Sequence, residues 1–220
     1  MDNIRTSLTN ELTKIINYSF TENKNIFEFG SRYGEDSTAL AAAFPQASIY
    51  AFECNPNTIT KCREACSKYS NLTLTEKAIS NICGTLDFYP INKEQTKTTW
   101  EDGNQGASSL LQASGEYPVE TYIQDHTKVI STTLKNFMIE KQLKEINFLW
   151  MDIQGGELMA LEGLEDYLDN VNVVYTEVEF IKIYKDQPLF TDIKFFLEKN
   201  NFIFLGFLNK SMYSGDAIFL

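Results

Sequence analysis

The chain has 220 residues, 43% of them hydrophobic and 22% charged, a composition that suits one globular domain and excludes a disordered one. Lys and Arg number 19 against 30 Asp and Glu, a net charge of −11, and no basic cluster exceeds two residues, so no nucleic-acid partner is expected. The longest apolar runs, such as 202–208, fall far short of the roughly 20 residues that span a bilayer, and residues 1–10 lack the basic start and apolar core of a signal peptide; a cytoplasmic protein without a membrane span is expected.

Residues 1–24 carry Ile4, Leu8, Leu12, Ile15 and Ile16 at helical spacing, with Asp2 and Asn3 as caps, and read as an amphipathic N-terminal helix. The pattern then changes. Residues 25–29 form a short apolar strand ending in Gly30, followed by an Ala-rich helix over 36–44 that Pro45 stops. A second strand spans 48–52, and a helix opening at Pro56 runs toward Tyr69, proline being well placed in a first helical turn. A third strand over 72–78 completes a β-α-β-α-β series, the order of a parallel sheet covered on both faces.

An extra strand over 84–89 interrupts the alternation and leads into a polar insert at about 90–127, rich in Thr, Ser, Gln and Gly over 92–115; a loop this long in a compact domain is usually functional or mobile. The alternation resumes with a helix over 132–143, a strand over 146–151, and a helix over 156–168 that aligns Leu158, Leu161, Leu164 and Leu168. A β-branched strand follows over 171–178, then a helix over 191–199 capped by Thr191. Strands over 202–208 and 217–220, joined by a turn at Ser214 and Gly215, close the chain. A connection that short cannot join parallel strands, so one of them runs antiparallel. The expectation is one α/β domain over 25–220 with seven strands.

The four cysteines, Cys54, Cys62, Cys66 and Cys83, contain no CxxC pair, and His126 is the single histidine, so no metal site is expected. Cys62 and Cys66 share a helix face, where thiols act as small core hydrophobes.

The segment Glu28-Phe29-Gly30-Ser31-Arg32-Tyr33-Gly34 sits between a strand and a helix, at the crevice where doubly wound sheets bind nucleotides. Gly30 lets the chain turn sharply against a ligand and Gly34 lets the next helix pack closely. Arg32 and Glu35 break the dinucleotide spacing GxGxxG. Glu28 can instead balance a cationic amine or sulfonium. Glu53 ends the second strand, and its two carboxylate oxygens can accept both hydroxyls of a ribose. Asp152, in Met151-Asp152-Ile153-Gln154-Gly155-Gly156-Glu157, stands at the cleft end of a middle strand, whereas Glu157 in the next helical turn serves the helix dipole.

These segments, with Tyr50-Ala51-Phe52-Glu53-Cys54-Asn55-Pro56, Lys77-Ala78-Ile79-Ser80, Ser108-Ser109-Leu110 and Gly215-Asp216-Ala217-Ile218-Phe219, resemble in order the signatures of the FkbM-type methyltransferases. The resemblance implies a class I, Rossmann-like S-adenosylmethionine-dependent fold with strand order 3-2-1-4-5-7-6 and an antiparallel last strand. It also implies methyl transfer to a hydroxyl of a sugar, glycan or related small molecule, with S-adenosylhomocysteine as product. By the same resemblance Glu28, Gly30 and Gly34 surround the methionine moiety, Glu53 holds the ribose, Ala78 lines the adenine, and Asp152 lies near the sulfonium. Ser31, Arg32, Ser37 and Cys54 complete the expected cofactor set. Two positions depart from the family pattern: Arg32, where a small residue or Asn is usual, and Lys135, where an acid is common.

A free alcohol is a poor nucleophile at neutral pH, and a well-placed base accelerates such a step by ~10²–10⁴-fold. Asp152 or His126 is expected to take the proton, with Glu179 orienting the acceptor. Glu177 and Glu179 are read as alternating along their strand, so that one of them faces the cleft. Ser108, Ser109, Trp100 and Glu177 are the expected acceptor contacts: the serines as hydroxyls of a closing loop, Trp100 as an aromatic face near Tyr89, Tyr117 and Tyr122. Two rival readings stand beside this one. A metal-dependent small-molecule O-methyltransferase would cluster carboxylates around Asp152, and a non-catalytic cofactor-binding module would use the insert to contact a partner.

Overall fold

The computed structural model describes residues 24–220, so the helix expected over 1–24 lies, but for Lys24, outside the described residues. Strands β1 (Asn25–Phe29), β2 (Ser48–Phe52) and β7 (Phe148–Met151) are nearly continuous apolar runs, as strands buried on both faces must be, and they lie parallel with β1 in the middle. β3 (Leu72–Thr75) extends the sheet beyond β2, and β8 (Val174–Glu179) extends it beyond β7. The order is completed by β10 (Ser214–Phe219) and β9 (Phe204–Lys210), with β10 antiparallel to both neighbours.

Numbered among themselves, the strands of this sheet run 3-2-1-4-5-7-6, but the chain holds more strands than expected. β4 (Ala78–Ile79), β5 (Gly84–Phe88) and β6 (Thr127–Thr132) form a second, three-stranded sheet; β5 is the extra strand expected over 84–89, and β4 and β6 are the additions. The third strand expected over 72–78 therefore splits, because a tight turn at Glu76 and Lys77, closed by the Lys77 N–H on the Thr75 carbonyl, swings Ala78 away to β6.

Helices α1 (Glu35–Ala43) and α2 (Ile59–Cys66) cover one face of the large sheet; α3 (Leu134–Glu140), α4 (Glu157–Glu162) and α5 (Phe190–Lys199) cover the other. Ile26, Ile49, Phe148 and Tyr175 meet Leu40, Phe44, Cys62 and Cys66 on the first face, so both helical cysteines are core residues. Phe27, Leu149, Met151 and Val174 meet Phe137, Leu161, Ile193 and Leu197 on the second. The expected helices are shortened. The one over 156–168 ends with α4 at Gly163, where any Cβ would stand 2.4 Å from the Ser80 carbonyl oxygen, and resumes as a 3-10 turn at Glu165–Asn170. Thr191 is not a cap: Asp192 accepts the Leu189 N–H at 2.8 Å at the start of α5. Ser214 and Gly215 pair within β10, so the final turn falls at 211–213.

The insert folds over the C-terminal edge of the large sheet and is held there by isolated bridges, Tyr89 to Ser109 and Ala113 to Tyr184 among them.

Candidate functional site

Register builds the site. Phe29 is aligned with Phe52 on one side and Met151 on the other, so the next residues, Gly30, Glu53 and Asp152, leave the sheet side by side at its C-terminal edge. The turn is tight: the Gly30 and Ser31 N–H groups both donate to the Phe52 carbonyl, at 3.0 and 3.1 Å, and Asp152 N–H donates to the Phe29 carbonyl at 3.1 Å. Gly30 has φ +88°, and a Cβ there would lie 1.9 Å from the Asp152 carbonyl oxygen, so only glycine lets β1 and β7 end this close together.

Two cavities meet at that point, sharing Gly30, Arg32, Gly106 and Asp152. The smaller, of about 60 Å³, is apolar along Ile79, Phe88, Leu110 and Ile153, with Glu53 at its wall. Glu53 accepts three backbone N–H groups, from Arg32 (2.6 Å), Cys54 (2.7 Å) and Asn55 (2.6 Å). About one of its roughly four lone-pair positions is left for a ligand. Burial outweighs those three donors and pushes the Glu53 carboxyl up to about 7.

The larger cavity, of about 400 Å³, is walled by the aromatic rings of Trp100, Tyr117 and Tyr122 and by the carboxylates of Glu120, Asp152, Glu177 and Glu179. Gln154, held at φ +55°, organises the acids: its amide nitrogen donates to Asp152 Oδ1 and to Glu177 Oε2, each at 2.7 Å. The Tyr184 hydroxyl lies 2.8 Å from both Gln154 Oε1 and the Ala107 carbonyl oxygen, and the two carboxylates orient the amide nitrogen toward themselves. Burial, reinforced by the Asp152 charge, raises the Glu177 carboxyl well above the ordinary range; burial and then the Glu157 charge do the same to Glu179. Nearby Asp216 is pushed up to about 6 by burial and by Asp152. Among the described residues no three His, Cys, Asp or Glu side chains are grouped closely enough to hold a metal ion.

Arg32 closes the junction of the cavities. Its guanidinium pairs with Asp102 of the insert and lies 5.0 and 5.1 Å from the ring centres of Tyr33 and Trp100. The insert is also tied to the sheet edge by Asn55, whose side-chain amide donates to Ser108 Oγ at 3.0 Å.

Several expected residues stand elsewhere. His126 is exposed on the second sheet, bonded to Asp87 at 2.9 Å and stacked on Tyr89, and lines neither cavity; the polar stretch that suggested a catalytic base is a solvated strand edge. Glu28 is buried beneath the glycine turn, where it accepts the hydroxyls of Ser31 (2.8 Å) and Ser37, and lines neither cavity. Burial and the Asp36 charge push it up to about 8. Glu28 and Ser37 thus brace the turn from below, and Gly34 packs on α2, 3.2 Å from Ala65 by its would-be Cβ, rather than facing either cavity.

Ser108 and Ser109 wall the smaller cavity, not the larger, and their hydroxyls are committed: Ser108 donates to the Gln105 carbonyl at 2.8 Å and Ser109 to the Gln154 carbonyl at 2.7 Å. Glu177 and Glu179 both line the larger cavity, because residues two apart on a strand share a face. Ser31 and Arg32 line the larger cavity, Cys54 and Ala78 the smaller, and Trp100 walls the larger. Sequence reasoning gave no role to Gln154, Asn55, Asp102 or Tyr184. Gln154 lay within a quoted motif; Tyr184 carries no local signal.

The methyltransferase FkbM domain matches residues 24–204. Among curated proteins, the chain is 26% identical to the 2-O-methyltransferase NoeI of Sinorhizobium fredii, over 74% of this chain and 66% of that protein. It is 23% identical to the hexuronic acid methyltransferase AglP of Haloferax volcanii, over 71% of this chain and 56% of that protein. The chain thus spans less than two thirds of the length of these relatives. Among solved structures, it is similar in fold to a precorrin-6y C5,15-methyltransferase of Geobacter metallireducens, with TM-score 0.50, 13% identity and coverage of 95% and 86%. It is also similar to a fibrillarin pre-rRNA processing protein of Methanococcus jannaschii, with TM-score 0.51, 11% identity and coverage of 91% and 67%.

Proposed function

The chain belongs to the FkbM methyltransferase family, and from that premise we propose that it is an S-adenosylmethionine-dependent O-methyltransferase acting on a hydroxyl of a sugar or glycan, with residues 25–220 as the catalytic domain. The observation that carries this reading is the pair of joined cavities with Gly30 and Asp152 at their junction, one apolar beside a ribose-competent carboxylate, the other aromatic and acidic. The printed names of the two relatives, a 2-O-methyltransferase and a hexuronic acid methyltransferase, support oxygen and sugar as the target.

The smaller cavity suits an adenosine. Its flat apolar walls match a base, Ala78 leaves room beside it, and the open acceptor position of Glu53 matches a ribose hydroxyl. Its outer wall is the insert around Ser108 and Ser109. The methionine end would pass Gly30 toward Ser31 and Arg32. When bound, S-adenosylmethionine supplies an electrophilic methyl group on a sulfonium.

Asp152 is the base this reading assigns. It borders both cavities, its Oδ1 is oriented by Gln154, and the strongly raised Glu177 carboxyl beside it leaves Asp152 the better acceptor of the substrate proton. Gln154 holds Asp152 and Glu177 in one arrangement, and Tyr184 holds Gln154, so the carboxylate is set before substrate arrives. Arg32, clamped by Asp102, stands at the junction of the two cavities. Incubation with methyl-labelled S-adenosylmethionine and a glycan panel, beside calorimetry with S-adenosylhomocysteine, tests the proposal: label in a sugar hydroxyl supports it, and a protein that binds neither cofactor form refutes it.

A further inference from the structure

A glycine turn that opens a helix ordinarily offers its backbone amides to an anion, but in this turn they are spent. Gly30 and Ser31 N–H both go to the Phe52 carbonyl and Arg32 N–H to Glu53. Tyr33 N–H goes to the Glu35 carboxylate at 3.1 Å and Gly34 N–H to the Ser31 carbonyl at 2.6 Å. On the facing strand end, Asp152 N–H is taken by the Phe29 carbonyl and Ile153 N–H by Glu157 at 2.9 Å. Glu35 and Asp36 stand in the first turn of α1, so an anion at that helix end meets like charge.

Among the described residues, Arg32 is the one cation that lines the larger cavity, against the carboxyl groups of Glu35, Asp36, Glu120, Asp152, Glu177 and Glu179. It lines the smaller cavity too, and its side chain keeps 16% of its surface. Asp102 accepts from one terminal nitrogen, Nη2; the other, Nη1, meets no acceptor among the described residues. A guanidinium is a planar fork of five N–H donors and can serve two carboxylates at once. Under the reading above, the cofactor brings a sulfonium, an ammonium and a carboxylate to this junction. Its positive groups find acids around them; its carboxylate finds Arg32.

We propose that Arg32 holds the cofactor's carboxylate while keeping Asp102, and thereby ties the acceptor cavity to the bound cofactor. The inference rests on the S-adenosylmethionine-dependent reading and assigns one residue within it, at a position where the family usually carries a small residue or Asn. The tie is continuous in the structure. Asp102 accepts the Tyr33 hydroxyl at 3.1 Å and, through Oδ1, the Asn104 N–H at 3.0 Å. The Asn104 side chain donates to Glu120 at 2.8 Å, and Glu120 accepts the Tyr122 hydroxyl at 2.7 Å. Trp100 lies with its ring centre 5.1 Å from the same guanidinium. A carboxylate on Arg32 therefore steadies Trp100, Glu120 and Tyr122, the insert's wall of the acceptor cavity.

The test is calorimetry on the full chain with S-adenosylhomocysteine and with its decarboxylated form, which keeps the thioether and the amine. The wild type should bind the decarboxylated form at least about tenfold more weakly, the loss expected for a charge-assisted contact. Arg32→Asn should bind the two within about threefold of each other; Arg32 has φ +48°, a conformation Asn also adopts. Amide hydrogen exchange over residues 97–104 should slow with S-adenosylhomocysteine and not with the decarboxylated form. Equal binding of the two by the wild type, a comparison that stands whether or not the variant folds, overturns the assignment and leaves the methyltransferase reading intact. A preference that survives in Arg32→Asn overturns it as well. Exchange over 97–104 that S-adenosylhomocysteine leaves unchanged overturns the tie to the insert. A wild-type chain that binds neither compound overturns the reading beneath, and the assignment with it.

Discussion

The two cavities hold their carboxylates in opposite ways. Glu53 is gripped by three backbone N–H groups of its own turn and of the neighbouring glycine turn, so its position follows from the strand ends. Glu177 and Asp152 are held instead by a side-chain amide, and Glu179 is buried beside the Gln187 side chain. Under the proposed function the first is the recognition site, fixed by main-chain geometry, and the second is the reactive and selective site, assembled from side chains of β8, the end of β7 and the insert. The difference implies that changes in the larger cavity alter turnover and acceptor choice, whereas changes at Glu53 alter cofactor affinity.

The largest effect tests the larger cavity. Asp152→Asn should lower kcat by ~10²–10⁴-fold, the contribution of a general base, while S-adenosylhomocysteine affinity measured by calorimetry stays within about threefold. A fall in affinity to match the fall in kcat would merge the two cavities into one function. Glu53→Gln should show the converse pattern: KM for S-adenosylmethionine up by roughly 10–100-fold, as expected for loss of a charged acceptor, with the acceptor KM unchanged. Trp100→Ala should raise the acceptor KM by about 2–10-fold and leave the cofactor KM alone, since an aromatic contact contributes ~0.5–1.5 kcal/mol.

The smallest effect is on stability. Glu28 and Glu53 have carboxyls raised to about 8 and about 7 from an ordinary 4.5. Between about pH 4.5 and 8 the folded protein therefore holds protons the unfolded chain has lost. Their contribution to stability is complete below the unfolded value and disappears as the pH rises through the folded ones. Scanning calorimetry should show Tm falling by a few degrees or more from pH 5.5 to 8.5, with a shallower slope in Glu28→Gln, which cannot ionise. A Tm that rises over this range would contradict the burial of both acids.

The same contrast governs what could be read in advance. Gly30, Glu53 and Asp152 were legible because each sits one residue past an apolar strand, and strand ends are local signals. The central strands were legible for the same reason. β6 was not, because its polar Thr127, Lys128, Ser131 and Thr132 break any apolar alternation: Thr127 closed the expected insert, Thr132 opened the expected helix, and 128–131 received no element. The break between β3 and β4 was hidden in a run whose period-two character continued through the turn. Glu28 was placed correctly on its strand but given to the ligand, since nothing local says that Ser31 and Ser37 will turn inward onto it.

His126 suggested a base by its chemistry alone, and chemistry without a strand end to place it was insufficient. The roles of Gln154 and Tyr184 depend on contacts across 23 and 30 residues of sequence, where no periodicity carries information. The opposite-face reading of Glu177 and Glu179 failed on geometry, because a period of two returns the second acid to the side of the first.

One structure determination tests the central claim most directly: a crystal structure of the chain with S-adenosylhomocysteine. The account predicts the ribose on Glu53, the adenine between Ala78 and Ile153, and the sulfur within reach of Asp152 at the mouth of the larger cavity. Density for the nucleoside anywhere else, or a ribose that makes no contact with Glu53, would contradict it.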